Sequence, residues 1–161
     1  MCYDICMNVS PPYKYTPGYI MLPLEQDIQG LNDQITLFGD TYTLKKEFHV
    51  TLIYAGYLCS QYSSINEEKI LRVFNKFVVH NGVEEVTYFP EYRLVTHPDG
   101  RKSIIQKVEI ENFNELYEIL SDKLGMVIPK PVTHITIYVN TGQGIAVETE
   151  DKFKKSFELR V

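Results

Sequence analysis

Several features that would define a function class are missing from this chain of 161 residues. It lacks a basic surplus: 16 Lys plus Arg stand against 21 Asp plus Glu, a formal net charge of -5. Proteins that hold long DNA or RNA regardless of sequence draw their affinity from phosphate contacts and are usually basic, so a long polyanion is not expected as a partner. A small phosphorylated ligand stays open, because a local group of Lys and Arg can hold one within an acidic whole. Cysteines are few: Cys2, Cys6 and Cys59, an odd count with no C-x-x-C spacing. That argues against a disulfide framework or a zinc knuckle and suits a reducing compartment. The N-terminus shows no basic start followed by an apolar run, so no signal peptide is read there. No stretch is long and apolar enough to span a bilayer, and a cytoplasmic location is expected. No carboxylate-rich cluster offers a cation site, and neither a metal nor a cofactor is expected.

What is present fits a soluble globular protein, with 44% apolar and 23% charged residues. The length suits one domain, or two small lobes sharing a core. Residues 1–17 are rich in Pro, Tyr and Asn and read as an irregular arm, leaving 18–161 as the folded unit. GYIMLPL (18–24) reads as a first strand ended by Pro23. Residues 25–36 allow a short helix interrupted at Gly30. EFHVTLIYA (47–55) is a strand rich in β-branched and aromatic residues. Residues 65–79 place Ile70, Leu71, Phe74, Phe77 and Val78 at helical spacing, with Ser64 and Glu67 as a capping box and His80-Asn81-Gly82 as a stop. A strand over 84–96, broken or bulged at Pro90, turns at His97-Pro98-Asp99-Gly100 and returns over 102–110. A second amphipathic helix covers 112–124, with Gly125 after it. Residues 131–139 form another strand, Gly142-Gln143-Gly144 a turn, and 156–161 a closing strand.

One tetrapeptide pattern occurs twice, as His49-Val50-Thr51-Leu52 and His134-Ile135-Thr136-Ile137, 85 residues apart. Strand side chains alternate between faces. By that parity His49, Thr51 and Ile53 share one face, with Val50, Leu52 and Tyr54 on the other. Likewise His134, Thr136 and Tyr138 share a face, backed by Ile135, Ile137 and Val139. Each strand thus sets an imidazole beside a hydroxyl and turns an apolar face to the core. This suits cleavage of a phosphodiester. One histidine takes a proton from the nucleophile and the other gives one to the leaving oxygen. A threonine hydroxyl two residues on donates to a non-bridging oxygen as charge develops. A single His-x-Thr proves nothing, since four histidines and 18 Ser plus Thr give roughly half a match by chance. The weight lies in two matches, both mid-strand, both with apolar alternates, half a chain apart.

The pair of motifs resembles the two-histidine (2H) phosphoesterase superfamily, as does the order of elements from Gly18 onward. The resemblance implies an α+β fold of two pseudosymmetric lobes, each an antiparallel sheet with a flanking helix, around a central cleft. It implies that His49 and His134 are the acid/base pair and that Thr51 and Thr136 hold the phosphate. It further implies a metal-independent phosphodiesterase acting on a small cyclic nucleotide or short oligonucleotide through a 3'-5', 2'-5' or 2',3'-cyclic linkage. Degradation of nucleotide immune signals is one activity found in that superfamily. The residues leave open which histidine is acid and which base. The rival reading is a module that sequesters a nucleotide without cutting it.

Other candidates are weaker. Tyr138, on the parity face of His134, and Tyr19, at the start of the first strand, are candidate ligand contacts. With 12 tyrosines in the chain, packing is the common role. Lys130, just before the second motif, is a candidate anion guide or an ordinary exposed lysine. Arg93, Lys102 and Lys107 lie on the predicted hairpin, where a solvated face is the default. His80 and His97 are read as helix-end and turn residues outside the site.

Overall fold

The computed structural model describes residues 9, 12–25, 30–81 and 85–160. Cys2, Cys6, the first turn of the expected 25–36 helix, Gly82, Glu84 and Val161 therefore lie, wholly or in part, outside the described residues. In chain order the elements are β1 (Lys14–Thr16), β2 (Tyr19–Leu24), β3 (Gln34–Leu37), β4 (Asp40–Leu44), β5 (Phe48–Ile53), α1 (Ala55–Gln61) and α2 (Glu67–Asn81). They continue as β6 (Val86–Thr96), β7 (Lys102–Ile110), α3 (Phe113–Leu124), β8 (His134–Val139), α4 (Glu150–Lys154) and β9 (Phe157–Leu159).

The expected α+β class holds, with antiparallel strands and flanking helices. In place of a separate sheet for each lobe, the described strands join one continuous nine-stranded sheet in the order β1-β2-β5-β8-β7-β6-β9. The β3–β4 ribbon branches off through β4, which pairs with β8. The two motif strands are neighbours within the sheet: β5 meets β8 through the pair Val50↔Ile135. Both residues are fully buried, so the apolar alternates that the sequence places behind each histidine form the middle of the core.

That core lies under α2 and α3. Ile70, Leu71, Phe74 and Phe77 of α2 are buried, as their spacing predicts. So are Phe113, Leu116, Tyr117 and Leu120 of α3. Tyr13 sets its ring edge-on to Phe74 at 5.1 Å, and β1 pairs with β2. The expected irregular arm is thus corrected over its last residues, which burial of Tyr13 draws onto the core. The cap of α2 is corrected as well. Asn66, not Ser64, accepts the Lys69 N–H at 2.9 Å. Glu67 instead accepts from the Tyr15 hydroxyl at 2.5 Å and the Gly18 N–H at 2.9 Å, pinning the β1–β2 turn.

The expected helix over 25–36 gives way to β3 and its hairpin partner β4, joined by Phe38-Gly39 with φ of 52° and 83°. Two positive φ values are what a two-residue hairpin turn demands. Pro23 does not end its strand but sits within β2, opposite His49. The break expected at Pro90 is present, as a register shift between Tyr88 and Tyr92. A second, smaller apolar cluster of Val95, Ile105, Ile145, Val147 and Phe153 packs segment 140–149 and α4 onto the β6–β7 hairpin. Among the described residues no helix is long and apolar enough to cross a membrane.

Candidate active site

The two motif strands depart from simple alternation at the same place. Along β2–β5 the register runs Met21↔Thr51 and then Ile20↔Ile53, which leaves Leu52 as an extra residue. Along β7–β8 it runs Ile105↔Thr136 and then Ile104↔Tyr138, which leaves Ile137 extra. Each strand therefore bulges at the third residue after its histidine. A bulge inserts one residue and inverts the facing of everything beyond it. The bulged carbonyls keep partners off their own ladder. Leu52 accepts from the buried Tyr117 hydroxyl at 2.9 Å, and Ile137 accepts from the Lys45 N–H at 2.8 Å. Without those partners a buried carbonyl would be left unsatisfied.

Up to the bulge, parity is a sound guide. His49, Thr51, His134 and Thr136 all line one cleft of about 350 Å³, together with Tyr19, Tyr54, Lys45 and Gln143. Beyond the bulge, parity fails for both tyrosines that it separates. Tyr54 enters the cleft, against expectation. Tyr138 does not share the face of His134. It is turned to the opposite side of the sheet, where its hydroxyl donates to the Asn32 carbonyl at 2.9 Å. There it lines an apolar groove of about 1120 Å³. That groove is larger than the histidine cleft, yet its lining contains no histidine and no lysine. The larger concavity is therefore not the one that holds the histidines.

Tyr19 stands where a ligand contact was expected, at the cleft, with its ring edge-on to Tyr54 at 6.0 Å. Its position depends on the turn before it. Gly18 has φ of +91°, and its carbonyl accepts the Gly56 N–H at 2.9 Å. A Cβ on Gly56 would lie a tight 3.2 Å from the Gly18 Cα, while at Gly18 it is the positive φ that disfavours a side chain. Lys130 is not brought to the cleft. It hydrogen-bonds Asn114 and lies over the Phe113 ring at 6.0 Å, at the start of α3. Arg93, Lys102 and Lys107 are held by the carboxylates of Glu91, Asp40 and Glu91 respectively. His97 contacts Asp99 in the hairpin turn, and His80 ends α2. Neither lines the cleft.

The two imidazoles have different surroundings. His134 is 7% exposed, and its Nδ1 lies 3.0 Å from the Val132 carbonyl oxygen. A carbonyl only accepts, so Nδ1 carries the proton and Nε2 is left free. Burial holds the His134 imidazole below its ordinary value of 6.5, and the neighbouring charge of His49 adds to this; the Val132 carbonyl and Glu148 oppose it. His49 lies at the open side of the cleft. It too is held below its ordinary value, first by the loss of water at the cleft wall and then by Lys45 and Lys14, with Glu47 opposing. A proton on His49 thus disfavours one on His134.

Both threonines have close neighbours in the cleft lining. Gly144 packs directly on Thr136: a Cβ there would lie 3.2 Å from Thr136 Oγ1. The segment carrying Gly144 is anchored where Ser103 Oγ accepts the Ile145 N–H at 3.2 Å, and where Asn140 Oδ1 accepts the Lys102 N–H at 2.7 Å. Thr51 is within hydrogen-bonding reach of the Tyr54 hydroxyl, which also meets the Val147 backbone. Burial pushes the Tyr54 phenol well above its usual range, so it stays protonated and neutral.

Lys45, Tyr54, Gln143 and Gly144 were not expected at the site. The only sequence signal for the last two is Gly142-x-Gly144 directly after the second motif strand. Lys45 and Tyr54 carry none, because bulges and strand neighbours place them. Among the described residues no three of His, Cys, Asp or Glu gather as metal ligands. Comparison with known proteins finds no matching family model, no matching curated protein and no matching solved structure.

Proposed function

We propose that the chain is a two-histidine phosphodiesterase that cleaves a small nucleotide or short oligonucleotide at the cleft between β5 and β8. The observation that carries this reading is the lining of one cleft by both imidazole–hydroxyl pairs. A phosphodiester lying between the pairs meets a histidine on each side. One, unprotonated, removes a proton from water or from the substrate's own 2'-hydroxyl. The other, protonated, gives one to the departing oxygen. If the 2'-hydroxyl attacks, the products are a 2',3'-cyclic phosphate and a free 5'-hydroxyl. If water attacks a cyclic phosphate, the ring opens. Thr51 and Thr136 donate hydrogen bonds to the non-bridging oxygens, and their benefit grows as charge builds there. Placement of the hydroxyls before reaction, by Gly144 and Tyr54, avoids reorganisation at the transition state.

The free cleft favours neutral histidines, and an anionic phosphate reverses that preference by adding negative charge beside them. Substrate binding thus favours uptake from solvent of the one proton that acid catalysis needs. The matched bulges after Thr51 and Thr136 also favour descent of the two halves from one strand pattern, with the lobes merged into one sheet. Kinship to the 2H phosphoesterases and a role against cyclic or 2'-5'-linked nucleotide messengers belong to this proposal.

The test is a panel of 2',3'-cyclic mononucleotides, 2'-5' oligoadenylates and cyclic di- and trinucleotides, incubated in excess EDTA, with products identified by mass spectrometry. Cleavage of at least one member is expected. His49→Ala and His134→Ala are each expected to lower its rate by about 10²–10⁴-fold, the usual worth of a positioned acid or base. Tight binding with every ligand recovered intact would instead establish a sequestering module. Activity abolished by EDTA and restored by added metal would sink the proposed mechanism.

A further inference from the structure

The histidine cleft continues into a second cavity that the catalytic scheme does not use. This cavity, of about 460 Å³, shares Met21, Lys45 and His49 with the cleft and is otherwise walled in part by Lys14, Lys46 and Pro23. The registers Lys14↔Met21 and Met21↔Thr51 place Lys14 in the same cross-strand row as Thr51, two strands away. At the usual spacing between strands that is about 10 Å. Lys45 stands at the junction, with its backbone N–H held by the bulged Ile137 carbonyl.

The three lysines differ from most other cations of the chain. Lys102, Lys107 and Lys152 are in ion pairs with Asp40, Glu91 and Glu148. Among the described residues Lys14, Lys45 and Lys46 have no ion-pair partner. Two glutamates, Glu25 and Glu47, also line the cavity, leaving a local cationic excess of one. The excess stands out in a chain with a formal net charge of -5. Three unpaired ammonium groups around a concavity next to a catalytic centre suit a second anionic group of the same ligand.

We infer that Lys14, Lys45 and Lys46 form a second phosphate subsite beside His49, and that the substrate carries at least one phosphate besides the one that is cut. This rests on the reading of the cleft as a phosphodiesterase site, and it narrows the substrate class. Dinucleotides with a terminal phosphate, and cyclic oligonucleotides, fill both cavities. A 2',3'-cyclic mononucleotide, with its single phosphate, fills one. The second phosphate is held without being cut, since no imidazole–hydroxyl pair faces it from both sides.

The test separates the subsite from the chemistry. Calorimetry with the His134→Ala protein, its folding checked by thermal unfolding, measures affinity for the four homodinucleotides NpN and for their 5'- and 3'-phosphorylated forms. At least one phosphorylated form is expected to bind about tenfold more tightly than its parent, the scale of a charge-assisted contact in an open site. In the same background Lys14→Ala/Lys46→Ala is expected to abolish that gain while changing the affinity for NpN by less than the gain itself. Both lysines are exposed, so the fold does not depend on them. Equal affinity for parent and phosphorylated forms overturns the subsite, as does a double substitution that weakens all forms alike. Absence of binding by any form overturns the subsite, and the phosphodiesterase reading falls with it when the cyclic and 2'-5'-linked ligands are also recovered uncleaved from the wild-type protein. If binding discriminates but the wild-type protein cleaves none of these ligands, the subsite stands and the catalytic reading alone falls.

Discussion

At the scale of single residues, the two histidines differ in how they are held. His134 is enclosed and tied through Nδ1 to Val132, whereas His49 faces solvent beside Lys45. Both are held below the ordinary imidazole value of 6.5. The consequence for stability has a definite sign. Below pH 6.5 the unfolded chain takes up protons that the folded cleft resists, so stability falls as the pH drops through that value. Above it both states are neutral and the two residues contribute no slope. The melting temperature of the ligand-free protein is therefore expected to fall between pH 7.5 and 5.5, and to fall less in His134→Asn. The threonines make a separate prediction. Thr51→Val and Thr136→Val preserve shape and remove the hydroxyl. Each is expected to lower kcat by about 10²-fold with a smaller effect on KM, because the hydrogen bond strengthens only as charge develops. A change confined to KM would make the hydroxyls ordinary binding contacts.

At the scale of elements, the bulges decide what the cleft contains. The sequence shows the alternation from His49 to Thr51 and from His134 to Thr136, and the strands obey it. It does not show that Leu52 and Ile137 are supernumerary, because the groups that satisfy their carbonyls come from elsewhere: Tyr117 on α3 and Lys45 after β4. Hence Tyr138 is expected in the cleft and is absent, while Tyr54 is expected away and is present. Tyr117→Phe tests the first bulge. It leaves a buried Leu52 carbonyl without a donor, and the expected cost is about 1–3 kcal/mol by denaturant unfolding. Activity is expected to fall as well, because Tyr54 and Thr51 lose their fixed backbone. An unchanged stability would mean that water or strand adjustment satisfies that carbonyl. The β3–β4 hairpin was legible in principle, since Ile35 and Leu37 alternate with polar neighbours ahead of Phe38-Gly39. The acidic, Gly-interrupted stretch before it masks the signal.

At the scale of the whole molecule, the expected class and the faces of each motif strand as far as its threonine were legible because they follow from local periodicity. The continuous sheet was not, because it depends on β5 pairing with β8 across 85 residues of sequence, through Val50 and Ile135. Nor were the cationic corner and the cleft wall at 143–146, whose members come together only through strand order and the small core around Ile145 and Phe153. That same pairing of β5 with β8 brings the two histidines close enough for the charge on one to disfavour the charge on the other. Shared acid/base work by this pair is the central claim. The measurement that meets it most directly is the pH dependence of kcat/KM on a confirmed substrate for the wild-type protein, His49→Ala and His134→Ala. The wild-type profile is expected to be bell-shaped with its maximum below pH 6.5, since both free-state values are held under that figure. Each variant is expected to keep one limb and lose the other, and the limb lost identifies the base and the acid. A bell that survives intact in either variant contradicts the claim.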